Sequence, residues 1–70
     1  MTVTTENTGA DFEQLLEKLK DSDPETRRQA ALDLKDLGDV RAVPFLLERL
    51  QDNNPEVQYV SIWALQELKD

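Results

Sequence analysis

The chain contains no cysteine and no histidine among its 70 residues, and it has only two glycines. Without cysteine it can form neither disulfides nor thiolate sites for zinc or iron–sulfur clusters. Without histidine it lacks the commonest metal ligand and the commonest general base at neutral pH. With so few glycines it also has no glycine-rich loop for binding phosphates. We therefore predict no catalytic residues, no metal site and no cofactor, so that the protein is not an enzyme.

Basic residues are scarce beside acidic ones, 8 against 15, which gives a formal net charge of −7. Nucleic acids and anionic lipid surfaces repel such a chain. No apolar run approaches the roughly 20 residues of a membrane span. Residues 1–10 also lack the basic and apolar segments of a signal peptide. We therefore expect a protein that binds no nucleic acid and does not insert into membranes. The absence of cysteine fits a reducing compartment, so we also expect the protein to be cytoplasmic.

An internal repeat with a period of 31 residues runs through the chain. Leu15–Glu25 aligns with Leu46–Glu56, and nine of the 23 positions in residues 15–37 are identical to their counterparts in residues 46–68. Such a period is typical of helical repeat proteins, in which each repeat is a helix pair. The alignment predicts a flexible tail at residues 1–9, a first repeat at residues 10–39 and a second repeat at residues 40–70.

Apolar residues in each repeat recur at the i, i+3, i+4, i+7 spacing of one helix face. They are Phe12, Leu15, Leu16 and Leu19 in the first repeat and Val43, Leu46, Leu47 and Leu50 in the second. Asp23-Pro24-Glu25 and Asn54-Pro55-Glu56 then combine an N-cap, a proline for the first helical position and an acidic residue for the positive end of the helix dipole. The pattern predicts four antiparallel helices, near residues 10–20, 24–37, 41–51 and 55–68, and no strand.

The fold class is therefore predicted to be all-α, an α-α superhelix (solenoid) of two helix-pair repeats. In such a fold each pair buries its apolar face against the next pair. The leucines that occupy equivalent positions in both repeats should meet in this shared core. They are Leu16, Leu34, Leu47 and Leu65.

The segment Leu37-Gly38-Asp39-Val40-Arg41-Ala42-Val43-Pro44-Phe45-Leu46-Leu47, followed by Asn54-Pro55-Glu56-Val57, resembles the phycobilisome-lyase type of HEAT-like repeat, and the likeness extends over residues 11–68. The resemblance implies a buried ladder between an aspartate near the turn and the arginine that opens the second helix. Asp21 and Arg27 occupy those positions. Gln58 replaces the arginine in the second repeat, and Asp33 stands where the family usually has alanine.

The acidic residues Asp21, Asp23 and Glu25 raise the question of a calcium-binding loop. An EF-hand loop would require glycine and glutamate at the positions that Thr26 and Leu32 occupy. Helix capping therefore accounts for these acidic residues better than calcium does.

The last helix carries apolar residues on two sides. At 100° per residue, Tyr59, Ile62 and Trp63 lie opposite the side that is predicted to face the core. One interpretation is that they wrap around the end of the core, and the other is that they form an interface. Arg27 and Arg28 suit a phosphate or a partner's carboxylate, whereas the alternative places Arg27 in the ladder and Arg28 in solvent. The interface candidates are thus Tyr59, Ile62, Trp63 and Arg28.

Three functions fit these features. The first is a non-catalytic protein–protein interaction module, a small scaffold or adaptor that binds another protein or a second copy of itself through the last helix and the exposed repeat faces. The second follows from the resemblance alone: an accessory factor of the cyanobacterial light-harvesting antenna, acting in bilin attachment or detachment or in phycobilisome turnover, with a phycobiliprotein as partner. In the third, the chain is a fragment of a longer solenoid. The first is favoured because two repeats offer a shallow face rather than the deep pocket that a bilin requires.

Overall fold

The computed structural model describes the backbone of residues 7–69 and the side chains between residues 11 and 68. The described part of the chain forms four α-helices and one turn of 3₁₀-helix, with no strand, which confirms the all-α prediction. The elements are α1 (Asn7–Lys18), α2 (Pro24–Leu37), the 3₁₀ turn (Val40–Ala42), α3 (Val43–Arg49) and α4 (Pro55–Lys69). Helix α1 begins inside the segment that was predicted to be a tail, and residues 1–6 lie outside the described residues.

Matching caps start the second helix of each repeat. The carboxylate of Asp23 accepts a hydrogen bond from the backbone N–H of Glu25 at 3.2 Å, and the side chain of Asn54 accepts one from the N–H of Glu56 at 2.9 Å. A proline follows each cap at the first helical position, where its missing N–H has no helical partner to lose. The starts of α2 and α4 are therefore set by local sequence, as the repeat predicts.

The third helix is shorter than the predicted residues 41–51. The carboxylate of Asp39 caps the 3₁₀ turn by accepting a hydrogen bond from the N–H of Arg41 at 3.0 Å, and α3 begins only at Val43. At the other end, the N–H groups of residues 50–52 donate to carbonyls three residues back. That spacing belongs to a 3₁₀ turn, so the α-helix ends at Arg49.

The core lies between the two helix pairs, and the contact between the repeats is made mainly by α2 and α4. Its central residues are small or medium-sized and fully buried. They are Ala30, Ala31, Leu34, Ala42, Leu46, Val57, Ser61 and Ala64. Of the leucines predicted to meet in the core, Leu34 and Leu65 are buried and Leu16 is partly buried against the same cluster.

The placement of Leu47 in the core was wrong, since 50% of its surface is exposed while its neighbour Leu46 is fully buried. Adjacent residues on a helix point about 100° apart, and only Leu46 of the pair lies on the part of α3 that is covered. The equivalent residue Leu16 is partly covered because it belongs to the repeat on which the second repeat packs. Leu47 lies in the second repeat, and no described residue packs over it from beyond that repeat.

Candidate protein-binding surface

Helix α4 has two apolar sides with opposite surroundings. Its inner side faces α2 and is buried at Val57, Ser61 and Ala64. On its outer side, Tyr59 is 71% exposed, Ile62 46% and Trp63 44%. We call these three residues the outer stripe. The sequence placed them opposite the core, and the structure leaves all three in contact with solvent.

The indole of Trp63 is partly covered by a cation of its own chain. The ammonium group of Lys35, on α2, lies 4.5 Å from the centre of a Trp63 ring. The same ammonium also contacts a carboxylate oxygen of Asp36 at 3.0 Å. A cation over an aromatic face is attracted by the negative face of the ring. Lys35 therefore holds the indole against α2 on one side while the rest of the ring is accessible.

Arg28 lies on α2, beside the first turn of α4. Its guanidinium forms an exposed ion pair and hydrogen bonds with Glu25, one turn earlier on the same helix. These hydrogen bonds and the charge of Arg28 lower the pKa of the Glu25 carboxyl. The same hydrogen bonds and the charge of Glu25 raise the pKa of Arg28. Glu56 adds a weaker attraction that raises the pKa of Arg28 further, which places α4 close by. Arg28 thus lies near the first turn of α4, with its charge already engaged by Glu25.

An apolar groove that the sequence pattern does not indicate lies between α3 and α4. The groove is open, has a volume of about 610 Å³, and is bordered by Gln66 and Glu67 on one edge. Its apolar lining, which we call the end groove, consists of Val43, Leu47, Leu50, Ile62 and Leu65. Ile62 joins the end groove to the outer stripe. The groove was missed because Leu47 was assigned to the core. One signal could have revealed it. Leu16, the equivalent of Leu47, lies in the repeat that the second repeat covers, whereas Leu47 lies in the second repeat itself.

Arg27 links the two repeats rather than offering a free cation. Its guanidinium donates to the carboxylate of Asp52 from Nε at 2.8 Å and from Nη2 at 3.0 Å. Its Nη1 donates to the backbone carbonyl of Asp21 at 2.7 Å. The ladder that the resemblance implied therefore uses the carboxylate of Asp52 and only the backbone of Asp21. Gln58, in the position of the arginine, donates to the backbone carbonyl of Asp52 in the corresponding way.

Asp52 is a buried carboxylate held in its charged form. Burial by itself raises its pKa, but hydrogen bonds from Arg27 and from the backbone N–H of Asn54, with the charges of Arg27 and Arg49, outweigh burial. The net pKa of Asp52 therefore lies below its ordinary value. Arg49 also donates to the carbonyl of Leu19 at 3.2 Å, so this charge cluster ties α1 to the second repeat. Its role is to fix the repeats relative to each other.

Two helix pairs with matching caps, stacked α2 on α4 and joined by a buried arginine–aspartate pair, define an α-helical repeat protein. The family model for HEAT repeats matches residues 12–70, and the chain belongs to the HEAT-repeat family. Comparison with curated proteins and with solved structures gave no match. Within residues 7–69, no helix is both long and apolar enough to cross a membrane. The narrower phycobilisome-lyase type, and the antenna function that it implied, stay predictions from the resemblance.

Proposed function

We propose that this protein is a non-catalytic interaction module, a small HEAT-repeat scaffold or adaptor that binds another protein or a second copy of itself. HEAT repeats are commonly scaffolds for protein interactions, because stacked helix pairs present extended surfaces. The observation that carries the proposal is the exposure of the outer stripe, Tyr59, Ile62 and Trp63, on the last helix.

The chemistry of the outer stripe supports this role. Large aromatic side chains anchor interfaces because they bury much area with few rotatable bonds. Arg28, on α2, adds a guanidinium that can leave Glu25 and pair with a partner's carboxylate instead. An aromatic centre with a charged edge is the usual composition of a protein interface.

The substitution Trp63→Glu tests the proposal. It places a charge in the stripe, and because the ring is 44% exposed the fold should tolerate it. We expect unchanged helix content by circular dichroism, together with loss of the self-association, or of the partner captured from cells of the source organism, that the original protein shows. Val40→Glu is the matched control, since Val40 is 62% exposed on the 3₁₀ turn. Equal effects of both variants on association would refute a role for the stripe.

A further inference from the structure

Resting on that proposed function, we propose that the end groove binds one amphipathic helix of a partner protein, which lies along α4 as α4 lies along α2. The helix would place an apolar face on Leu47 and Ile62 and carry basic residues at the border of that face. The end groove would then be a second binding surface beside the outer stripe.

The internal repeat shows what covers such a surface. Each residue of the end groove has an equivalent 31 positions earlier in the chain. The equivalents are Phe12, Leu16, Leu19, Ala31 and Leu34. Four of these are buried and Leu16 is partly buried, whereas Leu47 and Ile62 are about half exposed. The same face is therefore closed in the first repeat and open in the second.

The second repeat closes this face in the first repeat. Helix α4 packs along α2 and makes the main contact between the repeats. Around the apolar contact, Arg41 lies 4.4 Å from the centre of the Phe12 ring, and Arg49 donates to the carbonyl of Leu19 at 3.2 Å. The covering unit thus supplies one apolar helix face and two cations at its border. A partner that fills the end groove should have the same composition.

Head-to-tail stacking of a second copy does not suit the end groove. A second copy would have to present the outer face of its first repeat, where Thr26, Gln29 and Asp33 take the places of Val57, Val60 and Ala64. Asp33 would then be buried at the position of Ala64, which is fully buried in the existing contact between repeats. An unpaired carboxylate in that environment is costly.

Charge argues against a symmetric pairing of two end grooves as well. Two copies would each bring a net charge of −7. Of the described residues that line the groove, only Glu67 is charged, so the pairing would supply no cation for it. A separate helix with basic residues at its edge is attracted by the same field that repels a second copy. Recognition of an amphipathic helix by an apolar groove is a general mode of peptide binding.

A synthetic peptide of residues 55–69 provides the probe, because this segment is the helix that makes the main contact with the first repeat. Glu56→Lys, Tyr59→Lys, Trp63→Lys and Glu67→Lys in the peptide leave one apolar face and make the other side basic. Binding of the fluorescently labelled peptide to the full chain is followed by fluorescence anisotropy. We expect saturable binding, and at least a tenfold loss of affinity for the protein variants Leu47→Gln and Ile62→Gln, since truncating a central apolar contact removes about 1.4 kcal/mol or more.

Both groove variants keep the net charge, so a loss of affinity reports on the apolar contact alone. Val40→Gln is the matched control and should stay within about twofold of the original affinity. Equal binding of a scrambled peptide, or of the peptide to Leu47→Gln, would overturn the inference. So would sedimentation of the free protein as a dimer that Leu47→Gln dissociates, because a second copy would then be the occupant. Partner loss with Trp63→Glu but not with Leu47→Gln would leave the proposed function standing and remove only this inference.

Discussion

The guanidinium of Arg27 in the first repeat donates to both carboxylate oxygens of Asp52 in the second, 25 residues further along the chain. The Asp52 side chain is 2% exposed and the Arg27 side chain 10%. A paired arginine fork of this kind has geometric specificity as well as charge, because two parallel hydrogen bonds fix its plane. It therefore sets the angle at which the second helix pair stacks on the first.

Asp52→Ala should be among the most destabilising single substitutions in the chain. It leaves the buried guanidinium of Arg27 without its counter-ion, and breaking a buried pair in this way costs about 3–5 kcal/mol. A domain this small has a total stability of only about 5 kcal/mol, so the variant should be largely unfolded at room temperature. Urea denaturation followed by circular dichroism measures the loss. Asp36→Ala is the control, since the ion pair of Asp36 with Lys35 is at the surface and its removal should change little. Similar midpoints for the two variants would contradict the prediction.

The buried pair also predicts loss of stability in acid. The pKa of Asp52 is lower in the folded protein than in the unfolded chain, so folding favours the charged carboxylate. Its contribution is present above the ordinary value of 3.8 and is lost as the pH falls below it. We expect the free energy of unfolding, measured in urea, to fall between about pH 5 and pH 2. The fall should be shallower in Asp52→Asn, which cannot titrate there, and an equally steep fall in that variant would exclude Asp52 as a source.

Leu46 and Leu47 are neighbours in α3 with opposite environments, which predicts opposite responses to truncation. Leu46→Ala empties a fully buried site and should cost about 2–5 kcal/mol. Leu47→Ala removes a side chain that is 50% exposed and should cost less than about 1 kcal/mol. Thermal unfolding of the two variants side by side makes the comparison, and each serves as the other's control. A larger loss of stability for Leu47→Ala than for Leu46→Ala would show that Leu47 belongs to the core.

Most of the fold could be predicted from the sequence because its signals are local. The caps at Asp23 and Asn54 and the prolines after them fix the starts of α2 and α4 without help from distant residues. The end of α3 could not be predicted this way. Helix α3 changes from α to 3₁₀ hydrogen bonding near Leu50, and no residue there is a helix breaker. The same change occurs after α1, where the N–H groups of Lys20 and Asp21 donate to carbonyls three residues back, so the early end recurs in both repeats.

The surface was harder to predict than the fold, because exposure depends on what packs over a residue. Helical periodicity separated the outer stripe at Trp63 from the inner side of α4 correctly. It could not separate Leu46 from Leu47, since both belong to a leucine pair that recurs in each repeat. The pairing of Arg27 with Asp52 likewise joins residues of different repeats, which a pattern within one repeat does not contain.

Ser61 lies on α4 and is fully buried on the side that faces α2. Its hydroxyl is fully buried and makes no hydrogen bond within the described part of the chain, and the equivalent residue in the first repeat is Ala30. A buried hydroxyl without a partner costs about 1–3 kcal/mol, and alanine is the better helix former. Ser61→Ala should therefore raise the free energy of unfolding by about 1 kcal/mol in urea denaturation. Ser61→Thr is the companion variant, and it should lower stability because its extra methyl group overpacks the contact. If Ser61→Ala is instead less stable than the original protein, the hydroxyl has a partner in solution, and the nearest acceptor in sequence is the carbonyl of Val57, one helical turn earlier.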